Sequence, residues 1–167
     1  LTKIYGLSTL RCGWIIASDE NLAAIRHVSD QFEFGVSKLA HAVAASVFEQ
    51  SARFDDYSRS VLATARPILE RHFAQWREDG SVAGRLPDYG CIFFPKLVGI
   101  DDTIAFSEWL ADTHGVIVAP GEFFGASGHV RIGFAHTPDV LESGLSRFHQ
   151  GVRDYAGRQV RAKAGHA

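Results

Sequence analysis

Residues 115–135 read GVIVAPGEFFGASGHVRIGFA, and two chain reversals divide them. Residues 116–119 form a short β-branched run, which predicts a strand. Pro120-Gly121 predicts a turn, and the glycines at 125 and 128 predict a second one. From residue 129 to 135 the chain alternates. Val130, Ile132 and Phe134 fall on one face and Arg131, Gly133 and Ala135 on the other, the pattern of a strand with one buried side. A charged residue at the centre of such a strand needs a reason.

Working outward, the flanks are helical. Asp101 and Asp102 offer N-cap chemistry for a helix running to about residue 114. Phe106, Trp109 and Leu110 recur in it at i, i+3 and i+4, and Gly115 stops it. Pro138 opens a final helix, in which Leu141, Leu145, Phe148 and Val152 recur at four, three and four. Upstream, residues 89–95 (YGCIFFP) predict a further strand.

The longest helical pattern spans residues 55–78. Tyr57, Val61, Ile68, His72 and Trp76 are expected on one face, and Pro67 is expected to kink or split the helix. Residues 36–48 predict an Ala-rich packed helix, and residues 19–28 another that starts at Ser18-Asp19. Residues 11–18 (RCGWIIAS) read as a buried strand. The order is strand, helices, long helix, strand, helix, strand, strand, helix, without internal repeats. It implies an α/β or α+β architecture in which a long helix joins the end of one domain to a smaller one.

Composition narrows the function. Apolar residues make up 46% of the 167 and charged residues 22%, as in ordinary folded domains. A net charge of -2 points to neither a nucleic-acid nor a membrane surface. The basic cluster Arg158, Arg161, Lys163 reads as a solvated tail. No apolar run reaches membrane-spanning length. Two cysteines, Cys12 and Cys91, make no spaced pair and suit a reducing, cytoplasmic compartment. The eight histidines show no metal-ligand spacing, so no metal is expected. His129 and His136 are read as exposed residues at a strand's ends. The chain holds no methionine and begins with Leu, and it is therefore read as a piece of a longer chain.

The first residues carry the chemistry. LTKIYGLSTLRCGW (residues 1–14) places Lys3 beside an aromatic residue and a glycine, with Arg11 eight residues on. A lone lysine is ordinarily a solvated surface charge. A lysine near a second cation and an apolar wall, however, has a lowered pKa and becomes a usable nucleophile. The guanidinium of Arg11 matches a phosphate bidentately. An amine together with a phosphate-binding arginine is what pyridoxal phosphate requires.

These residues resemble the Schiff-base lysine motif of the class I/II aminotransferases, the fold-type-I pyridoxal phosphate enzymes. Thr2, Lys3, Gly6, Leu7, Arg11 and Gly13 match that motif, while Thr9 stands where glycine is commoner. Residues 115–135 are similar to the same family's later pattern, matching at Gly115, Pro120, Gly121, Phe124, Gly125, Gly128 and Arg131 among others. Without the resemblance, Arg131 reads as a surface strand arginine and the glycines as turn residues.

The resemblance covers essentially the whole chain and implies the C-terminal part of the fold-type-I fold. Residues 1–55 would end the large cofactor domain, 56–80 would be the interdomain helix, and 81–167 the small α+β domain. It implies pyridoxal 5'-phosphate as cofactor, with Lys3 as catalytic Schiff-base lysine and proton carrier. Arg11 would bind the cofactor phosphate and Arg131 the substrate α-carboxylate. The substrates would be an amino acid and a 2-oxo acid, the assembly a homodimer, with neither nucleic acid nor membrane as partner. The family's pyridine-nitrogen aspartate, ring-stacking aromatic and Gly-rich phosphate turn would precede Leu1, so these residues alone are expected to be inactive. Two other readings stay open: a lyase, decarboxylase or synthase on the same fold, and the aminotransferase-like effector domain of a winged-helix transcription regulator.

Overall fold

The computed structural model describes residues 1–3, 5–32, 35 and 37–164, with side chains to residue 159. The described chain falls into two compact units, Leu1–Arg59 and Ser60–Ala167.

In the first unit a 3₁₀ turn, Ser8–Leu10, is followed by α1 (Asp19–Phe32) and α2 (Lys38–Glu49). The Ser37 hydroxyl caps α2 by accepting from the Ala40 amide at 3.2 Å, which satisfies one of the helix's orphan donors. Val36, the first residue of the helix expected over 36–48, lies outside the described residues. Residues 11–18, expected to be a buried strand, are neither a strand nor buried. Trp14, Ile15 and Ile16 are exposed at 59%, 62% and 89%. A strand exists only through a neighbour's backbone, and no described residue supplies one here.

The helix α3 (Ser51–Glu78) is longer than expected and runs unbroken through Pro67. Within the second unit its buried side chains are Ala65, Leu69, His72, Phe73 and Trp76. The expected stripe holds at His72 and Trp76, which are buried, and at half-buried Ile68, while Tyr57 is exposed and Ala65, Leu69 and Phe73 widen the buried face. A 3.6-residue helix drifts by about 20° per heptad against a seven-residue line, so an extrapolated stripe leaves the core face over 28 residues.

The second unit holds a two-stranded and a three-stranded antiparallel sheet. β1 (Val82–Ala83) pairs with β3 (Lys96–Leu97), and β5 (Val130–Gly133) lies between β2 (Ile92–Phe93) and β4 (Ala119–Pro120). The strands are shorter than expected. Pro95 lacks the N–H that would continue β2. Residues 115–118 line one side of a cavity of about 190 Å³, walled also by Ile132, Gly133, Val140 and Gly144, so pairing with β5 begins only at Ala119.

The helix α4 (Thr103–His114) has the predicted ends. The Asp102 carboxylate accepts from the Ala105 amide at 3.0 Å, and Gly115 closes the helix at φ 62°. The alternation of β5 also holds. Val130, Ile132 and Phe134 are buried with Phe93, Phe106, Phe148 and Trp76, each such side chain contributing about 1.5–3 kcal/mol by leaving water.

The last helix, α5 (Pro138–Ala164), is tied through Glu142 to Arg71 and His72 of α3 and through His149 to Asp79, the residue after α3. His72 Nε2 meets Glu142 at 3.0 Å, and His149 Nε2 meets Asp79 at 2.5 Å. Both pairs are 70 residues apart in sequence, so the two helices run parallel with one fixed register. The histidine changes sides from one pair to the next. Arg158 is exposed, and the side chains of Arg161 and Lys163 lie outside the described residues.

Candidate functional site

Lys3 lies in the first turn of the chain and is exposed. Its carbonyl accepts from the Gly6 amide at 3.4 Å. Two residues on, the Tyr5 hydroxyl donates to Asp55 at 2.6 Å, and the Tyr5 ring packs tilted on Phe54 at 5.6 Å. The short segment is thereby fastened to the first turns of α3. The bond to Asp55 raises the Tyr5 phenol above its ordinary pKa, since ionisation would break that bond and set two negative charges together.

Arg11 follows the 3₁₀ turn Ser8–Leu10 with φ 50° and ψ 38°. It is the only non-glycine with positive φ among the described residues. An L-residue there pays about 1–2 kcal/mol relative to ordinary backbone. The side chain is exposed rather than opening a buried strand, which corrects the sequence expectation.

Arg131 stands at the middle of β5, paired across to Ala119, and is half-buried. Its guanidinium carbon lies 4.6 Å from the centre of the Phe124 ring. No carboxylate approaches it within 4.0 Å among the described residues. The cation therefore rests on a π face instead of a counter-ion.

The loop around it is tightly built. The Gly121 amide donates to the His129 carbonyl at 2.7 Å and contacts the Thr103 hydroxyl at 3.1 Å. A side chain at Gly121 would meet the Ala126 carbonyl oxygen at 2.0 Å. Glu122 accepts from the Thr103 amide at 2.9 Å and from the Thr103 hydroxyl, placing a carboxylate at the N-terminus of α4. Burial pushes Glu122 up, but these bonds outweigh it and hold the acid below its ordinary value.

Sequence reasoning missed the aromatic setting of this loop. Phe124 meets Phe94 edge-on at 5.7 Å and 86°, and Phe94 stacks on His129 at 5.2 Å and 17°. His129 is accordingly half-buried and packed, not the exposed strand end expected, while His136 is exposed. Among the described residues no three His, Cys, Asp or Glu side chains are grouped to hold a metal ion, and no helix is long and apolar enough to cross a membrane.

The family model for aminotransferase class I and II matches residues 1–148. The chain is 29% identical over 162 residues to capreomycidine synthase of Streptomyces vinaceus, covering 93% of this chain and 40% of that protein. It is 26% identical over 159 residues to L-aspartate:5-guanidino-3-methyl-2-oxopentanoate transaminase of Pseudomonas syringae pv. syringae, covering 93% and 39%. The chain thus spans about 40% of the length of the curated relatives it matches. Among solved structures, a PLP-dependent aminotransferase from Streptococcus suis 89-1591 superposes with a TM-score of 0.71 at 26% identity, over 90% of this chain and 40% of that one. The fold is part of the fold-type-I architecture of such enzymes, and the chain belongs to the class I and II aminotransferase family.

Proposed function

We propose that this chain is part of a pyridoxal phosphate-dependent aminotransferase acting on an amino acid and a 2-oxo acid. The observation that carries the reading is Arg131. A half-buried guanidinium without a carboxylate neighbour among the described residues is a receptor for an anion. It sits within the family-matched stretch 1–148. The donor set at the chain's start fits the cofactor, because an exposed lysine and an exposed arginine offer an amine for an aldehyde and a fork for a phosphate. Pyridoxal phosphate, when bound, supplies an electron-poor ring that accepts the electron pair released at the substrate Cα.

The residues then divide the work. Lys3 would hold the cofactor and afterwards, within hydrogen-bond reach, move a proton at the substrate Cα. Arg11 pairs with the phosphate and fixes the cofactor's position. Arg131 grips the α-carboxylate, and by holding that group it sets which Cα bond stands across the ring. We assign residues 1–55 to the large domain, 56–80 to the interdomain helix and 81–167 to the small domain, in a cytoplasmic homodimer.

In the full natural chain, Lys3→Ala should abolish the cofactor's visible absorption band, and persistence of the band refutes the role of Lys3. Arg131→Ala should raise KM for amino acids with cofactor still bound, and an unchanged KM removes Arg131 from the site. A second reading, a synthase on the same fold, is favoured by the 29% identity to capreomycidine synthase. Product analysis separates the two, because only transamination requires a 2-oxo acid acceptor.

A further inference from the structure

We propose that Phe124 is a positioning residue for Arg131, backed by Phe94 and His129, and that this aromatic row presets the arginine for a carboxylate. The inference rests on the reading of Arg131 as the carboxylate receptor. An arginine side chain has four rotatable bonds, and gripping a ligand from a mobile start forfeits rotamer entropy. A guanidinium is flat, with its N–H donors in the plane and none above or below it. A ring under the cation, with the guanidinium carbon 4.6 Å from its centre, restrains the side chain without offering an acceptor that would occupy its N–H donors. A carboxylate partner would restrain it equally well but would occupy the fork and cancel the charge.

The row is packed at each step. Phe124 meets Phe94 at 86°, Phe94 stacks on His129 at 17°, and His129 Nδ1 lies 3.1 Å from the Ser127 carbonyl. The backbone locks the same three segments together, through Val130 N to Pro95 O at 3.1 Å and Gly121 N to His129 O at 2.7 Å. Phe94 and Phe124 nonetheless keep 38% and 46% of their surface exposed.

The test uses the full natural chain with ¹⁵N,¹³C-arginine and propionate as the carboxylate probe, followed by NMR. In the parent, the Arg131 Cδ protons should be shifted upfield by the Phe124 ring, and the Arg131 Nε–H signal should move on titration. Phe124→Leu should remove the upfield shift and weaken propionate by about fivefold, the scale of a cation–π contact. Phe124→Trp should restore both. In turnover, Phe124→Leu should raise KM for the amino acid while changing kcat little. Loss of affinity without loss of the ring shift, or no rescue by Trp, overturns the positioning role. If Arg131→Ala abolishes propionate binding while Phe124→Leu matches the parent in shift and affinity, the Phe124 proposal alone fails. If Arg131→Ala leaves propionate binding unchanged, the carboxylate reading fails first.

Discussion

An alanine at position 121 has nowhere to put its methyl group. That carbon would stand 2.0 Å from the Ala126 carbonyl oxygen, 2.6 Å from the His129 carbonyl oxygen and 2.9 Å from His129 Cβ. Two of the three are backbone oxygens of residues hydrogen-bonded to Gly121: Gly121 N donates to His129 O at 2.7 Å, and the Ala126 amide donates to Gly121 O at 2.9 Å. The clash can be relieved only by breaking those bonds. Overpacking costs about 1–3 kcal/mol and each lost bond about 1 kcal/mol, so Gly121→Ala should destabilise the Ser60–Ala167 unit by roughly 3–5 kcal/mol. For a unit of this size that is a fall in Tm on the order of 10 °C or more. Gly125→Ala is the control. Its φ is +70° but the space around it is open, so only the left-handed backbone is penalised, by about 1–2 kcal/mol. Thermal unfolding followed by circular dichroism ranks the two. If Gly125→Ala proves the more damaging, or Gly121→Ala melts within about 2 °C of the parent, the close-approach argument is wrong.

Four further outcomes are expected. Glu122→Gln should cost about 1 kcal/mol as a weakened helix N-terminus. Because the folded acid is held below its ordinary value, its contribution is present at neutral pH and is lost as pH falls through the folded pKa, so urea midpoints at pH 7 and pH 3.5 should differ less in the variant than in the parent. His149→Ala and Asp79→Ala should couple by about 1 kcal/mol in a double-mutant cycle read by urea unfolding, and additivity removes the pair from the α3–α5 register. Burial pushes Asp79 up, but Ser81 and His149 hold it below its ordinary value, so His149→Ala should also flatten the loss of stability in acid. Asp55→Asn should let the Tyr5 phenol titrate at lower pH, read as phenolate absorbance, and an unmoved titration denies the Tyr5–Asp55 bond.

The parts of the fold legible in the sequence are those written locally. The cap at Asp102, the stop at Gly115 and the alternation of Val130, Ile132 and Phe134 each depend on neighbours a few residues away, and each stands in the structure. What depends on distant partners was not legible. Residues 11–18 have strand composition but no backbone to pair with among the described residues. The pairs His72–Glu142 and His149–Asp79 join positions 70 residues apart, beyond any periodicity. Strands of two residues, such as β1 and β3, are too short to show a period of two. At the candidate site the motif supplied both Arg131 and Phe124, while the contact between them did not show, because no local pattern says which ring a strand arginine rests on. The signal that could have found it was the place of Phe124 in the same matched stretch as Arg131.

The turn ahead of the strand that carries Arg131 holds an acid, Glu122. Both oxygens of Glu122 are engaged by Thr103, one with its amide at 2.9 Å and one with its hydroxyl. Arg131 is left with a ring face. Pairing the two charges would stabilise the loop by itself, yet it would place an internal rival in the fork that a substrate carboxylate must enter. The N-terminus of α4 therefore gains a capping carboxylate, and we predict that holding it there also keeps it from competing for Arg131. Thr103→Val keeps the shape of a fully buried side chain and removes the hydroxyl that binds Glu122. Carboxylate affinity should then fall although Thr103 touches no ligand, and Glu122→Gln on the Thr103→Val background should restore it, because the rival charge is gone. Propionate titration of the single and double variants decides the matter. A double variant no better than Thr103→Val alone would show that Glu122 never competes for Arg131.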